Sequence, residues 1–319
     1  MNIKILFGPI IVLALFATAN AQTLDKAKLD QFFDKLAEKN KAMGSLAIIK
    51  DGNILYTRAI GYSQISAIEK KPLNEANRFR IGSITKMFTA TMILQLIEEG
   101  KLKLTDTLEK FLPQVPNANK ITILQVLSHR SGIPNIFREQ NAQGNVKTNP
   151  MTKEEHLSLI VKATPDFEPD AKSLYSNSGY FVLGLIIEKL TGKSYERVLK
   201  EKIAAKIGLN DTYVATGNID VNKNESLTYF IFPGGDWKQV TETHPSLLFS
   251  AGAIVSTPND LAKFILALFD GKIVSKKSLE LMKTMRDGEG LGMVTFEFAG
   301  RTFNGHTGGA DNYGAWLAY

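Results

Sequence analysis

Cysteine is absent from all 319 residues. That excludes disulfide bridges, thiol nucleophiles, thiolate metal sites and a lipid-modified N-terminal cysteine. Histidine is scarce, four in all, and there is no His-Glu-x-x-His pair, so a zinc hydrolase site has no support. No Gly-x-Ser-x-Gly elbow occurs, which excludes the α/β-hydrolase way of presenting a serine nucleophile. There is no low-complexity tract, no internal repeat, no run of Lys or Arg, and no interleaving of aromatic with basic residues. The formal net charge of +6 is therefore spread thinly, and nucleic acid is not an expected partner.

One apolar run stands out, at the very start. Lys4 supplies a positive head, residues 5–17 an apolar stretch, and Ala19-Asn20-Ala21 a small-residue cleavage site before Gln22. Gly8-Pro9 interrupts the run, which is too short for a membrane anchor. The expectation is a signal peptide over residues 1–21 and a mature domain over 22–319, with no stable membrane anchor after cleavage. An exported chain without disulfides fits the bacterial periplasm or secretion.

The stretch that organises the rest is 80–100. From Ile84 on, apolar residues recur at helical spacing (Met87, Ala90, Ile93, Leu94, Ile97), and Gly100 stands where a helix would stop. Ser83 and Lys86 lie three residues apart at the mouth of this helix, on one face. A serine is a poor nucleophile until a base takes its proton, and an amine kept neutral by burial can serve as that base. Alone, the pair could be no more than a helix cap and a solvated lysine.

Around this stretch, residues 24–39 read as an amphipathic helix, and 45–50 and 54–60 as a β-hairpin turned by Asp51-Gly52. Helical patterns follow at 122–129, 152–163, 179–190, 194–206, 258–269 and 278–285, with a Gly/Asn-rich loop over 139–150. Asp260 reads as part of a helix-start cap. Strand-like runs at 291–298, 301–304 and 313–319 close the chain. Strands at both ends and helices between them predict an α+β fold: an antiparallel β-sheet built from both chain ends, flanked by helices, plus an inserted mainly helical lobe. The chain stops inside an apolar strand, so a C-terminal truncation is expected.

Two further motifs complete a pattern. Tyr175-Ser-Asn177 is the only Tyr-x-Asn and sits just before a helix; His306-Thr-Gly308-Gly309 is the only His-Thr-Gly and follows the strand at 301–304. With Ser83-Ile-Thr-Lys86, their order and local contexts resemble the serine β-lactamases and penicillin-binding proteins, in the class C-like branch that also holds D-alanyl-D-alanine carboxypeptidases, D-aminopeptidases and esterases. The segments 127–134 and 250–264 are similar to parts of that family, and the resemblance runs from about residue 25 to the end. The family fold continues past the point where this chain stops, by a strand and a helix.

The resemblance implies a serine hydrolase working through an acyl-enzyme, without metal or cofactor, on a small-molecule or short-peptide substrate of the cell-wall type. Ser83 would be the nucleophile, with Lys86 and Tyr175 moving its proton. The backbone N–H groups of Ser83 and Gly309 would form the oxyanion hole. Asn177, His306, Thr307 and Gly308 would contact substrate. His306 departs from the pattern, which has Lys there. A histidine is mostly uncharged at neutral pH, so a fixed partner for a substrate carboxylate is missing. An esterase or peptidase is therefore favoured over a β-lactamase. The alternative from another class is a non-hydrolytic penicillin-binding sensor using the same pocket. His129 reads as a structural loop residue, and His156 and His244 as surface positions.

Overall fold

The structure, a computed structural model, describes residues 24–137, 148–231 and 235–319. The leader assigned to residues 1–21 and most of the loop expected over 139–150 lie outside the described residues. The chain opens with α1 (Lys26–Glu38), β1 (Gly44–Lys50) and β2 (Asn53–Ile60), then short strands β3 (Tyr62–Ile65), β4 (Lys70–Pro72) and β5 (Phe79–Arg80). Helices α2 (Thr85–Glu98), α3 (Ile123–Leu127), α4 (Lys153–Lys162), α5 (Asn177–Thr191) and α6 (Tyr195–Leu199) follow. Next come β6 (Tyr213–Val214), β7 (Tyr229–Ile231), β8 (Trp237–Gln239), the one-turn α7 (Phe249–Gly252) and β9 (Ile254–Ser256). The chain finishes through α8 (Pro258–Phe269), α9 (Lys276–Lys283), β10 (Val294–Phe298), β11 (Arg301–Ala310) and β12 (Tyr313–Ala318).

The expected mix of helices with antiparallel strands from both chain ends is present. β1 pairs antiparallel with β2 through a two-residue turn. Asp51 and Gly52 both have positive φ, 50° and 80°, the geometry whose twist suits a tight hairpin. At the other end β10, β11 and β12 form a meander. The two ladders form separate sheets, and α8 packs against both β1 and β12. A cleft of about 1010 Å³ separates them, lined by Ile48, Leu261, Ile265 and Leu317.

The helical lobe is built on α2, which is buried along its whole length from Thr85 to Leu96. A helix with no wet face must satisfy its polar side chains internally, and α2 does so except at Gln95 Oε1, which has no partner among the described residues. Thr89 Oγ1 donates to Ser250 O at 2.7 Å, Thr91 Oγ1 to Met87 O at 2.7 Å, and Gln95 Nε2 to Ile273 O at 2.7 Å. Phe88 stacks on Phe264 of α8 with ring centroids 3.7 Å apart, tying the lobe to the strand layer. Truncating such a buried ring costs about 3–5 kcal/mol. α2 is thus a rigid post, and its first turn is a fixed reference point for chemistry.

Helix ends follow the sequence closely where a cap is present. Thr122 with Gln125 and Thr152 with Glu155 form reciprocal capping boxes for α3 and α4. Thr257 caps α8 by accepting from Asp260 N–H. The Asp260 carboxylate is buried and accepts from Asp211 N–H and Thr212 Oγ1. Two expectations need correction. β11 does not stop at residue 304; it runs on through His306, Thr307, Gly308 and Gly309. His156 is buried, not at the surface, stacked on Phe181 at 4.0 Å, because it shares one face of α4 with Ile160, one turn on.

Candidate active site

Ser83 lies in a single 3-10 turn (Gly82–Ile84) that feeds α2. It is the one residue between Ile81 and Leu96 that is not buried. Lys86, one turn further, has no exposed surface. Its Nζ is 3.1 Å from Ser83 Oγ, 2.7 Å from Asn177 Oδ1 and 2.8 Å from Ala251 O. Tyr175 Oη donates to the same Ser83 Oγ at 2.6 Å. The serine oxygen is therefore held between an amine and a phenol.

Each group is positioned by its own element. Asn177 is the first residue of α5, not a loop residue, because Ser176 is the N-cap and accepts from Gly179 N–H. Tyr175, just before the cap, is clamped by His129. Leu174 N–H donates to His129 O at 2.9 Å, Ser176 N–H donates to His129 Nδ1 at 3.1 Å, and the His129 and Tyr175 rings lie 4.4 Å apart. β10 pairs with β11 only as far as Gly305, leaving residues 306–310 as an edge against the start of α2. The approach is close: a Cβ on Gly308 would stand 1.9 Å from Ile81 O and 3.2 Å from Ser83 N, and one on Gly82 would stand 2.7 Å from Gly309 N. Gly82 also has φ of +51°. Only glycine lets the two backbones come this close.

Burial sets the charges. Desolvation holds the Lys86 amine well below the ordinary lysine range, opposed, among the charges of the described residues, only by the carboxylate of Glu289. Burial pushes the Tyr175 phenol up, against the hydrogen bond it donates to Ser83. Burial brings His306 down from 6.5 to about 4, helped by the nearby Lys86. Burial likewise holds His129 well below its usual value. His306 Nδ1–H donates to Thr307 O, which leaves Nε2 as an acceptor in an uncharged ring. Thr307 and Gly309 are exposed on the strand edge.

A family model described as Beta-lactamase matches residues 29–319, nearly the whole chain. The chain belongs to the Beta-lactamase family. A penicillin-binding protein of Bacillus subtilis (strain 168) is 29% identical over 273 residues, covering 79% of this chain and 58% of that protein. The chain spans about three fifths of the length of the curated relatives it first matches. A D-amino acid amidase from Ochrobactrum anthropi SV3, in complex with L-phenylalanine amide, superposes with a TM-score of 0.77 at 28% identity, covering 90% of this chain and 85% of that one. The octameric penicillin-binding protein homologue from Pyrococcus abyssi gives a TM-score of 0.77 at 32% identity, covering 90% and 68%.

In this Beta-lactamase family member, the residues singled out from sequence converge. Ser83, Lys86, Tyr175 and Asn177 are linked by direct hydrogen bonds, and His306 lies 6.4 Å from Tyr175, ring to ring. Three contributors escaped the sequence reading. Ala251 O, from α7, is a backbone acceptor and has no side-chain signature. Asn135 Oδ1, 3.5 Å from Asn177 Nδ2, helps fix the orientation of that amide. Arg130, 4% exposed, donates to Asp170 at 2.6 Å and also pairs with Asp287, while Arg286 joins Asp170 at 2.7 Å. That ion network staples together the loops carrying His129, Tyr175 and residues 286–289.

Proposed function

We propose that this chain is an exported serine hydrolase that cleaves small amides or esters, short cell-wall-type peptides included, through an acyl-enzyme on Ser83. The observation that carries the reading is the pair of contacts on Ser83 Oγ together with the charge state of each partner. A neutral lysine amine has two N–H donors and one lone pair. Asn177 Oδ1 and Ala251 O take the two donors, so the lone pair points at Ser83.

The resting arrangement is then a directed chain: Tyr175 O–H donates to Ser83 Oγ, and Ser83 O–H donates to Lys86 Nζ. Lys86 takes the serine proton as Oγ bonds to the substrate carbonyl carbon. The charge on the carbonyl oxygen falls to the N–H groups of Ser83 and Gly309, where one such donor is worth about 10²–10³ in rate. Tyr175 delivers a proton to the leaving nitrogen or oxygen as the scissile bond breaks, and Lys86 returns one to Tyr175. Water, losing its proton to the same relay, then attacks the ester, and Ser83 recovers its proton as the acid product leaves. Asn177 Nδ2 and the Thr307 hydroxyl are available to hold the substrate on either side of the bond.

Substrate preference follows from His306. With that ring uncharged, the strand edge offers no fixed cation to a substrate carboxylate, the group shared by β-lactams and D-Ala-terminated peptides. The reading therefore favours amides and esters that need no such anchor. The likeness to a D-amino acid amidase structure supports this direction.

The test is intact mass over time for the wild-type protein and Ser83→Ala, mixed with a penicillin and separately with p-nitrophenyl acetate. An adduct that needs Ser83 and then decays supports the hydrolase, and faster turnover of the ester supports the stated preference. Cephalosporin hydrolysis at ordinary lactamase rates refutes the preference. A Ser83 adduct that never decays would make the chain a penicillin-binding sensor instead.

A further inference from the structure

Once Lys86 takes the proton of Ser83, an ammonium stands where solvent has no access. The acceptors within its reach are Asn177 Oδ1, Ala251 O and Ser83 Oγ, none of them a carboxylate. Among the described residues Lys86 has no ion pair. A buried ammonium without a counterion is costly. The titratable groups around it bring little charge to bear. Burial keeps His129 and His306 unprotonated, and Tyr175 and Tyr180 neutral. The same holds for Tyr195, which lies 2.6 Å from Thr89 Oγ1, one turn along α2. Glu289 is the one negative charge that acts on the amine, with no hydrogen bond or ion pair to it among the described residues.

Two aromatic faces stand closer. Lys86 Nζ lies over the rings of Tyr175 and Tyr180, 4.8 Å and 5.5 Å from their centroids. Both fall inside the roughly 6 Å at which a cation is drawn to a π-face. Tyr175 is already engaged in the proton relay through its hydroxyl. Tyr180 is not: its hydroxyl donates to Leu127 O at 2.7 Å, so what it offers the amine is its ring. The placement comes from α5, where Tyr180 follows Asn177 by three residues, on the helix face that meets Lys86. Tyr180 has no exposed surface, and the His129 ring packs 5.1 Å from it. Gly292 closes the site from below. A Cβ there would stand 3.1 Å from Tyr180 Oη and 2.7 Å from Lys86 O.

We propose that the Tyr180 ring is a non-reacting part of the base, a π-face that stabilises protonated Lys86 while Ser83 is acylated. This rests on the hydrolase reading of Ser83. A ring quadrupole attracts an ammonium far more than a neutral amine. The ring therefore favours the state reached during acylation over the resting one, which is what lowers a barrier. Tyr180 acts through the lysine, as a positioning residue.

The experiment reads the pH profile of kcat/KM for p-nitrophenyl acetate in wild type, Tyr180→Phe and Tyr180→Leu. A fourth protein carries trifluorophenylalanine in place of Tyr180, close to phenylalanine in shape but without the negative potential on its ring face. Thermal melts verify folding. Tyr180→Phe should keep the wild-type rising limb and stay within about threefold of its rate, since the π-face remains. The trifluoro variant and Tyr180→Leu should lose about tenfold in rate. Their rising limb should move to lower pH by about one unit, because the ammonium is less stable without the face. Equal limbs and rates in the phenylalanine and trifluoro proteins overturn the proposal, and this pair decides alone if Tyr180→Leu does not melt cooperatively. A fall in Tyr180→Phe as large as in the trifluoro protein overturns it too, since the hydroxyl would then be what matters. If the wild type gives no Ser83-dependent burst, the hydrolase reading falls, and this proposal with it.

Discussion

Lys86 Nζ lies 3.1 Å from Ser83 Oγ, one helical turn away and shut off from solvent. The spacing comes from the helix, the isolation from the lobe packed around it, and together they make the amine a base. Arginine would keep a positive charge at this position but cannot lose a proton. Lys86→Arg and Lys86→Met should therefore be equally inactive, with kcat/KM down about 10²–10⁴. Steady-state assays on an activated ester check this; an Arg variant retaining more than a tenth of wild-type activity would sink the assignment.

The same burial fixes the pH profile. The active form has Lys86 neutral and Tyr175 protonated, and burial moves these two groups in opposite directions, Lys86 down and Tyr175 up. Activity should rise as pH climbs through the depressed lysine pKa, then stay flat through neutral and mildly alkaline pH. Among the described residues Glu289 is the one charged group that opposes the lysine's depression, so Glu289→Gln should move the rising limb to lower pH. A kcat/KM profile that rises only near pH 10, about where an ordinary lysine titrates, would contradict this.

Tyr175→Phe isolates the proton donor. The ring packs on His129 and should stay in place, since only the hydroxyl is lost. Acylation of Ser83 by an amide should slow by about 10²–10⁴, and by less for an ester whose leaving group needs no proton. Rapid-quench mass spectrometry on a matched amide and ester reads the difference. Equal losses on both would remove Tyr175 from leaving-group protonation.

How much of this could be read from the chain varied with how local each feature is. The Ser83–Lys86 pair needs only helical spacing, and α2 announces itself by period. The caps at Thr122, Thr152 and Thr257 are equally local. β11 was harder: His306-Thr-Gly-Gly has poor strand propensity, and its extended form is imposed by pairing with β12 and by contact with Ile81 and Ser83. His156 looked like a surface residue because Lys153, Glu154 and Glu155 precede it, yet its spacing from Ile160 placed it on the inner face. The Ala251 carbonyl and the loop staple at Arg130 depend wholly on tertiary contacts.

Gly308→Ala tests the closeness of β11 and α2. The added methyl meets a carbonyl oxygen at 1.9 Å, and backbone cannot yield as a side chain can. The strand must back away from Ser83, carrying the Gly309 amide with it. The loss of that one donor predicts a fall in kcat of about 10²–10³. A melt should show destabilisation as well, of about 1–3 kcal/mol for an overpacked site. Gly314→Ala, on the neighbouring strand with open space at its Cβ, serves as the control. Comparable activity in the two variants would mean that the oxyanion site lies elsewhere.

Histidine burial makes the fold acid-sensitive. His156 has neither ring nitrogen hydrogen-bonded among the described residues, and burial carries it from 6.5 to about 4; His306 is moved as far. In both, the folded state binds its proton at lower pH than the unfolded chain does. The sign is then fixed: the stabilising difference is fully present above about pH 6.5 and is lost as pH falls toward 4, where the unfolded state is protonated and the folded state is not. Each shift of this size is worth about 3 kcal/mol. Urea midpoints should therefore be level from pH 8 to 7 and drop steeply below 6. His156→Leu keeps an apolar body against Phe181 and removes two unsatisfied nitrogens. It should raise the neutral-pH unfolding free energy by about 1 kcal/mol and shallow the acid slope by about one proton, leaving the contributions of His306 and His129. If the slope is unchanged in His156→Leu, the buried ring takes up its proton without opening the fold, and His156 is not among the groups that make the fold acid-sensitive.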